Sequence, residues 1–438
     1  MNRYFLSALE PWLILALALF FLFPQTWTLW ALASLPLLWS ARRVLSAQAF
    51  VRSSPANLPL LLLLLTILPA VRRASDLEAA RQSLLFLVLG VALCWALMQH
   101  RLRRVEGALW TAALLSMAFS LALLLPLAVP DFSGGLGPLP GLTANLPAWL
   151  QERINANVLA GGLSLLSPFA LAVLVARSPL SPQGANSEAG PAGGPPARQA
   201  IGIGLRLLAL LSLIVSQVAL AISQSRGALL AVLGTVMLLA ALDWLTSRRW
   251  WLPALLAILV GLGLLSNPLL ARVLPAPRLD ETLTLAGRLP IWEAGLRMIG
   301  RSPLTGVGLG NFQRVMARDE PGASPLLPEG ASHAHNLFLQ VAADLGLVGL
   351  AAFLALYAFS LRAAYYTWRR SGGALPMGLF AALSAAALHG LVDAVQWGSK
   401  PAFLLWLFMG LALSLECEPS DRIIPRARRD DVAGRASP

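Results

Sequence analysis

Hydrophobic positions along this chain come in long blocks, set apart by short polar connections. Runs such as "PWLILALALFFLF", "LPLLLLLLTILP" and "RGALLAVLGTVMLLAALDW" show neither strand alternation nor the one-sided stripe of a surface helix. A helix needs about 20 mostly apolar residues to cross a hydrocarbon core. The pattern predicts membrane spans near 9–24, 27–41, 57–71, 83–99, 108–129, 156–176, 203–222, 227–246, 251–265, 345–361, 375–392 and 401–415. The expected fold class is an all-α polytopic integral membrane protein of about twelve helices. It divides into membrane helices over 1–265, a large loop over 266–336, the last membrane helices over 337–416 and a polar tail over 417–438.

Two interruptions differ in kind. The stretch 177–200, "RSPLSPQGANSEAGPAGGPPARQA", is rich in Pro, Gly, Ser and Ala and carries no apolar face. It reads as a flexible linker that buries too little to order itself. Within the large loop, "RLPIWEAGLRMIG" places Leu289, Trp292, Leu296 and Ile299 at helical spacing. That helix is expected to lie on the membrane surface or to cover a cavity between spans. Pro303 and the glycines of "SPLTGVGLGNF" should end it in a turn.

Composition agrees with the pattern. Of 438 residues 57% are hydrophobic and 12% charged, with a mean hydropathy of +0.69. Soluble domains carry about 25% charged residues. The net charge of +12 would suit nucleic acid if it were concentrated, but the basic residues are almost all arginines between apolar blocks. That placement sets topology rather than binding a polyanionic strand. Arg42, Arg43, Arg52, Arg101, Arg103, Arg104, Arg248, Arg249, Arg369 and Arg370 fall on connections of one side, which the positive-inside rule makes cytoplasmic. Both termini are then cytoplasmic, and the 266–336 loop faces out of a bacterial-type inner membrane. The first block has no clear cleavage site and reads as a retained helix. Cys94 and Cys417 give no disulfide framework.

With that topology nearly every unusual polar residue gathers on the outer side. Arg153, Asn155 and Asn157 stand at the start of the sixth span, and Arg226 in the tight turn "SQSRGA". Arg288 begins the loop helix, while His335 and Asn336 close the loop. His389 and Asp393 are four apart near the end of the eleventh span, so that on a helix they share a face. Each has a plainer use: arginines snorkel to headgroups, asparagines cap helices, and a His–Asp pair can simply bond within a bundle. Gathered together, they suggest a site for a phosphorylated substrate. Guanidinium forks hold phosphate oxygens bidentately, and a histidine near neutrality is the natural base for a hydroxyl. His333 and His335 invite a metal reading, but the loop has no cysteine, no further histidine and only scattered carboxylates. No metal or cofactor is expected. Gly306, Gly308 and Gly310 lack the GxGxxG spacing of a nucleotide loop.

"GRLPIWEAGLRMIGRSPLTGVGLGNF" followed by "ASHAHNLFLQVAADLGLVGL" resembles the signature region of the O-antigen ligase and polymerase family. The matching positions are Arg288, Trp292, Pro303, Gly306, Gly308, His335, Asn336, Gly346 and Gly349. "SQSRGA" and "ERINANVLAG" are similar to its upstream motifs, whereas the first five spans match in hydropathy alone. The resemblance implies a GT-C-like, metal-independent, inverting membrane glycosyltransferase of polysaccharide and lipopolysaccharide biosynthesis. Its donor would be a glycan on undecaprenyl diphosphate, and its acceptor a lipid A core, another glycan or a protein side chain. By matched positions His335 would activate or position the acceptor hydroxyl. Arg226 and Arg288 would grip the diphosphate, with Arg153 beside them, and Asn336, Trp292, His389 and Asp393 would line the substrate site. Ligase, polymerase and protein O-oligosaccharyltransferase share these signatures. A transporter or flippase of lipid-linked glycans is the competing class, and the nearly charge-free spans speak against it.

Overall fold

The computed structural model describes residues 37, 40, 44, 53–99, 156–176, 195–223, 225–244, 285–321, 331–398 and 402–415. Among them every regular element is an α-helix and there is no strand. We number these helices α1 (Asn57–Arg73), α2 (Leu77–Gln99), α3 (Ala156–Val175), α4 (Pro195–Ser223) and α5 (Arg226–Trp244), then α6 (Leu285–Arg301), α7 (Phe312–Asp319), α8 (Leu337–Ser371), α9 (Ala374–Gly390) and α10 (Ala402–Ser414). Three stretches among the described residues are long and apolar enough to cross a membrane: Leu77–Gln99, Gly202–Leu220 and Leu337–Ser371. The expected spans 9–24, 108–129 and 251–265, and nearly all of 27–41, lie outside the described residues, as do 177–194 and the tail.

The apolar blocks become helices close to their expected limits, with two informative differences. Helix α4 begins at Pro195, inside the stretch expected to be a linker. Proline suits the first helical turn, where its missing N–H would have had no partner. Helix α8 begins at Leu337, well before the expected span at 345, and kinks at Gly346 with φ +76°. The apolar span predicted at 345–361 thus starts at the kink, and one further helical stretch precedes it.

Helix α9 is a central post. It packs along α3, α5, α8 and α10, while α10 in turn packs on α2, and α1 on α8. Its uniform apolar surface suits a buried helix rather than an amphipathic one. The core is continuous through Phe169, Phe353, Tyr357, Trp397, Trp406 and Phe408. Phe353 meets Trp397 edge-on at 5.5 Å and Trp406 at 6.2 Å. Close approach of α2 and α10 depends on Gly90, where a methyl group would collide with the Trp406 indole.

The loop helices α6 and α7 sit on the first stretch of α8 with a small core of their own: Ile291, Ala294, Met298, Phe312, Met316, Ala334 and Ala342. The expected stripe of α6 holds at Ile299, which is buried in this core, and in part at half-buried Trp292, and fails at its two leucines. Leu289 and Leu296 are exposed at 49% and 60%, while Ile291, Ala294 and Met298 are fully buried. Both sets follow the same helical period, so spacing alone could not choose between them. Small Ala294 and Gly295 let α6 approach α8, with the Gly295 α-carbon facing Leu339. Arg297 and Arg301 both reach Glu320, at 2.8 and 2.9 Å, and tie α6 to the end of α7.

The glycine turn between these helices docks on the bundle rather than hanging free. Gly306, Gly308 and Gly310 all have positive φ. The Val307 amide donates to the Ala343 carbonyl and the Leu347 amide to the Pro303 carbonyl, both at 2.7 Å, so the turn fills the kink of α8. Asn311 Oδ1 accepts from the amides of Ser75 and Asp76 at 2.9 and 2.7 Å. The loop is thereby fastened to the α1–α2 turn as well.

Candidate functional site

The polar residues converge on one short segment, 389–396, where α9 ends. Asp393 was expected to share a helix face with His389, but α9 stops at Gly390 and Asp393 lies in the turn beyond it. One helical turn of register survives, because the Asp393 amide donates to the His389 carbonyl at 2.9 Å. Their side chains then part. His389 is buried and turns to Gln396, whose amide nitrogen lies 2.8 Å from Nδ1. An amide nitrogen can only donate, so Nδ1 accepts and the ring proton sits on Nε2. That Nε2 has no partner among the described residues.

Asp393 turns instead toward the histidine loop. His333 Nε2 stands 3.0 Å from Asp393 Oδ1, and His335 Nδ1 stands 3.8 Å from the same oxygen. The two imidazoles lie side by side with centroids 4.2 Å apart. His333 Nδ1 is 2.8 Å from the Ser332 hydroxyl. A carboxylate only accepts, so His333 donates to Asp393 through Nε2; in the neutral ring the Ser332 hydroxyl then donates to Nδ1. Burial raises the Asp393 carboxyl, but the hydrogen bond from His333 and the electrostatic pull of the neighbouring imidazoles outweigh it and hold the group below its ordinary range.

His335 carries backbone strain. Its φ of 46° makes it the one non-glycine residue with positive φ among the described residues. Such conformations cost about 1–3 kcal/mol and persist only where the surroundings impose them. Two contacts do so here. Trp292 Nε1 on α6 donates to the His335 carbonyl at 3.3 Å. Asn336 then caps α8, its Oδ1 accepting from the amides of Phe338 and Leu339 at 3.0 Å, while Nδ2 donates to the Leu391 carbonyl at 3.0 Å. Trp292 and Asn336, expected to line the substrate site, thus hold His335 and lash its loop to the Asp393 segment.

Beneath them lies a buried network that sequence reading passed over. Asp344 Oδ2 accepts from Trp397 Nε1 at 2.9 Å, and Oδ1 from Gln340 Nε2 at 3.1 Å and the Gly310 amide at 3.3 Å. Gln340 Oε1 accepts from the Ala334 amide, between the two histidines, at 2.8 Å. One carboxylate therefore joins the glycine turn, the histidine loop and the Asp393 segment. A lone acid inside an apolar run was the available signal.

Arg288 is half-buried on α6, and its Nε has no partner among the described residues. Burial lowers its pKa, and the Asp393 charge opposes that shift, which puts the two groups within electrostatic reach. Arg226 is the first residue of α5 and is exposed. Its neighbour Gly227 faces the same segment: a methyl group there would stand 2.9 Å from Val392 Cγ2 and 3.8 Å from His389 Nε2. The start of α3 arrives from another side, with Gly161 against Val395 and the His389 ring. Arg153 and Asn155 lie outside the described residues; Asn157 belongs to the first turn of α3.

The sequence reading found no third ligand to go with His333 and His335, and Asp393 supplies one. The three donor atoms lie within 4.8 Å of one another.

Apolar helices surrounding a polar cluster of histidine, arginine and aspartate define an integral membrane protein with a chemically equipped site at one end of its bundle. Residues 208–354 match the family model described as O-antigen ligase. Members of that family are glycosyltransferase-like enzymes. The match takes in Arg226, Arg288, Trp292, His335 and Asn336, and ends before His389 and Asp393. No curated protein matches the chain.

Proposed function

We propose that the protein is a membrane glycosyltransferase that moves a glycan from undecaprenyl diphosphate to an acceptor hydroxyl on the extracytoplasmic face, in the manner of an O-antigen ligase. The observation that carries this reading is the approach of His335 to Asp393, with Arg288 in electrostatic reach of the same carboxylate. In this reading the ring proton of His335 sits on Nδ1, the nitrogen 3.8 Å from Asp393 Oδ1, and Nε2 carries the lone pair. Nε2 takes the proton of the acceptor hydroxyl as its oxygen attacks the anomeric carbon. The bond from that carbon to the diphosphate breaks, and its electron pair leaves with the phosphate oxygen. Arg288 and Arg226 neutralise the charge that develops there. Attack opposite the leaving group inverts the anomeric centre, and the step uses no metal.

Two buried nitrogens without hydrogen-bond partners among the described residues, Arg288 Nε and His389 Nε2, support a polar, anionic ligand in this region. Arg153 and the start of α3 belong to the same reading by sequence position. Membrane lipid surrounds the helices, and the acceptor is a glycolipid, a glycan or a protein hydroxyl.

Transfer from a purified lipid-diphosphate glycan to candidate acceptors, read by mass shift, tests the proposal. His335→Ala and Arg288→Ala should each reduce transfer by about 10²–10⁴-fold while the protein inserts and expresses as before. Transfer that survives both changes would refute the assignment.

A further inference from the structure

The His333, His335 and Asp393 cluster has a geometry that proton transfer alone does not require. Zinc binds imidazole nitrogen and carboxylate oxygen at about 2.0–2.2 Å, so ligand atoms around a tetrahedral ion lie about 3.3–3.5 Å apart. The two measured edges, 3.0 Å from His333 Nε2 and 3.8 Å from His335 Nδ1 to Asp393 Oδ1, bracket that spacing. The third edge is within 4.8 Å. Movements of a few tenths of an ångström on two edges, and a somewhat larger one on the third, would seat an ion. The donor set of two imidazoles and one carboxylate suits zinc, nickel or cobalt rather than magnesium or calcium.

We propose that these three residues form a binding site for a zinc-class divalent cation, and that occupying it shuts down transfer. The proton inventory balances without an added base. When His333 Nε2 gives up its bond to Asp393 and takes the metal, its proton moves to Nδ1. There the Ser332 hydroxyl at 2.8 Å turns from donor to acceptor. A hydroxyl serves either way, and a partner on the far ring nitrogen is what orients a metal-bound histidine. His333 keeps 31% of its side chain accessible, His335 12% and Asp393 6%, so the ion enters from the His333 side. A water fills the fourth position.

The inhibitory consequence rests on the proposed function, whereas the binding does not. Coordination through Nδ1 of His335 leaves its ring proton on Nε2. The lone pair that would accept the hydroxyl proton is then gone, and Asp393 is taken up by the ion.

The test uses the full-length protein, purified in detergent, stripped with a chelator and titrated with Co²⁺ and then Zn²⁺. One equivalent of Co²⁺ should give the visible absorption of a four-coordinate ion, and Zn²⁺ should bleach it. His333→Ala and Asp393→Ala should weaken binding at least about 100-fold, and Ser332→Ala about 10-fold. His100→Gln should leave binding unchanged. Absence of the cobalt absorption, or absorption that survives both ligand changes, overturns the site. In the transfer assay, stoichiometric Zn²⁺ should abolish turnover and a chelator restore it. Zinc that binds without slowing transfer, or transfer that needs the ion, overturns the inhibitory role. If no transfer is found at all, the proposed function falls while the cobalt titration still decides the site.

Discussion

Asp393 receives the imidazole of His333 at 3.0 Å, across sixty residues of chain. The carboxylate is nearly sealed, with 6% of its side chain exposed, and it stands on a turn rather than on a helix. A charge so enclosed holds only when donors surround it. The His333 imidazole, at 3.0 Å, and the Ala394 amide, at 2.8 Å, do this, with His335 Nδ1 at 3.8 Å and Arg288 in reach. The acidic turn and the histidine loop therefore stabilise each other, and neither has its arrangement alone.

That mutual dependence has a pH signature. The folded Asp393 carboxyl lies below its ordinary value, whereas in the unfolded chain it titrates near 4. Its contribution is complete above the unfolded value and is lost as pH falls through the folded one. Thermal unfolding in detergent should show Asp393→Asn below wild type at pH 7. The gap should hold down to about pH 4 and close in more acid solution. A gap that persists undiminished well below about pH 4 would contradict the arrangement around an ionised Asp393.

Asp344 should matter as much as any group at the site. It accepts from Trp397, Gln340 and Gly310, and Gln340 continues the chain to Ala334. In Asp344→Asn one acceptor becomes an NH₂ group, which then faces a donor. The expected loss is about 1–3 kcal/mol of stability for the buried group left unpaired. Transfer should fall by more than the folded fraction accounts for, because both halves of the His333–Asp393 pair hang on this network. Thermal midpoints measured beside turnover per folded molecule check it.

Much of this was legible in the chain. The apolar blocks mark helix positions because a buried helix must be apolar on all sides, and Arg288, His335 and Asn336 stand where polarity resumes. Pairing was not legible. His333 meets Asp393 and Asn311 meets the α1–α2 turn through tertiary contacts that no local spacing encodes. The face of α6 is legible only in part for a related reason: Ile299 packs inward as its spacing predicts, and the two leucines do not. Leu289 and Leu296 share a period with Ile291 and Met298, and the choice falls to packing of small Ala294 and Gly295 on α8. Asn336, whose expected place is the substrate site, also caps α8 and bonds the Leu391 carbonyl, contacts that no local spacing encodes.

The glycine turn offers a sharper mechanical test. Gly306 has φ +68°, and a methyl group there would collide with the Ala343 carbonyl, the acceptor of the Val307 amide. Gly306→Ala meets both the backbone penalty and the clash, so a loss of about 2–4 kcal/mol is expected. Gly300 has nothing within 4 Å of its added methyl group and serves as the control on the neighbouring helix. Gly300→Ala should leave the thermal midpoint unchanged or slightly raised. Equal effects from the two substitutions would mean that the turn does not seat in the kink of α8.

Trp292 isolates positioning from chemistry. Its indole N–H holds the carbonyl of His335, whose backbone sits at φ 46°. Trp292→Phe keeps an aromatic ring on α6 and removes that one donor. Losing a bond of about 1–1.5 kcal/mol lets the strained residue relax toward ordinary backbone angles. The imidazole then spends less time facing the acceptor, so kcat should fall about 10-fold with KM for the lipid-linked donor unchanged. Trp292→Leu removes the ring as well and should lower the thermal midpoint in addition. If KM for the donor rises while kcat holds, Trp292 touches substrate instead of steadying His335.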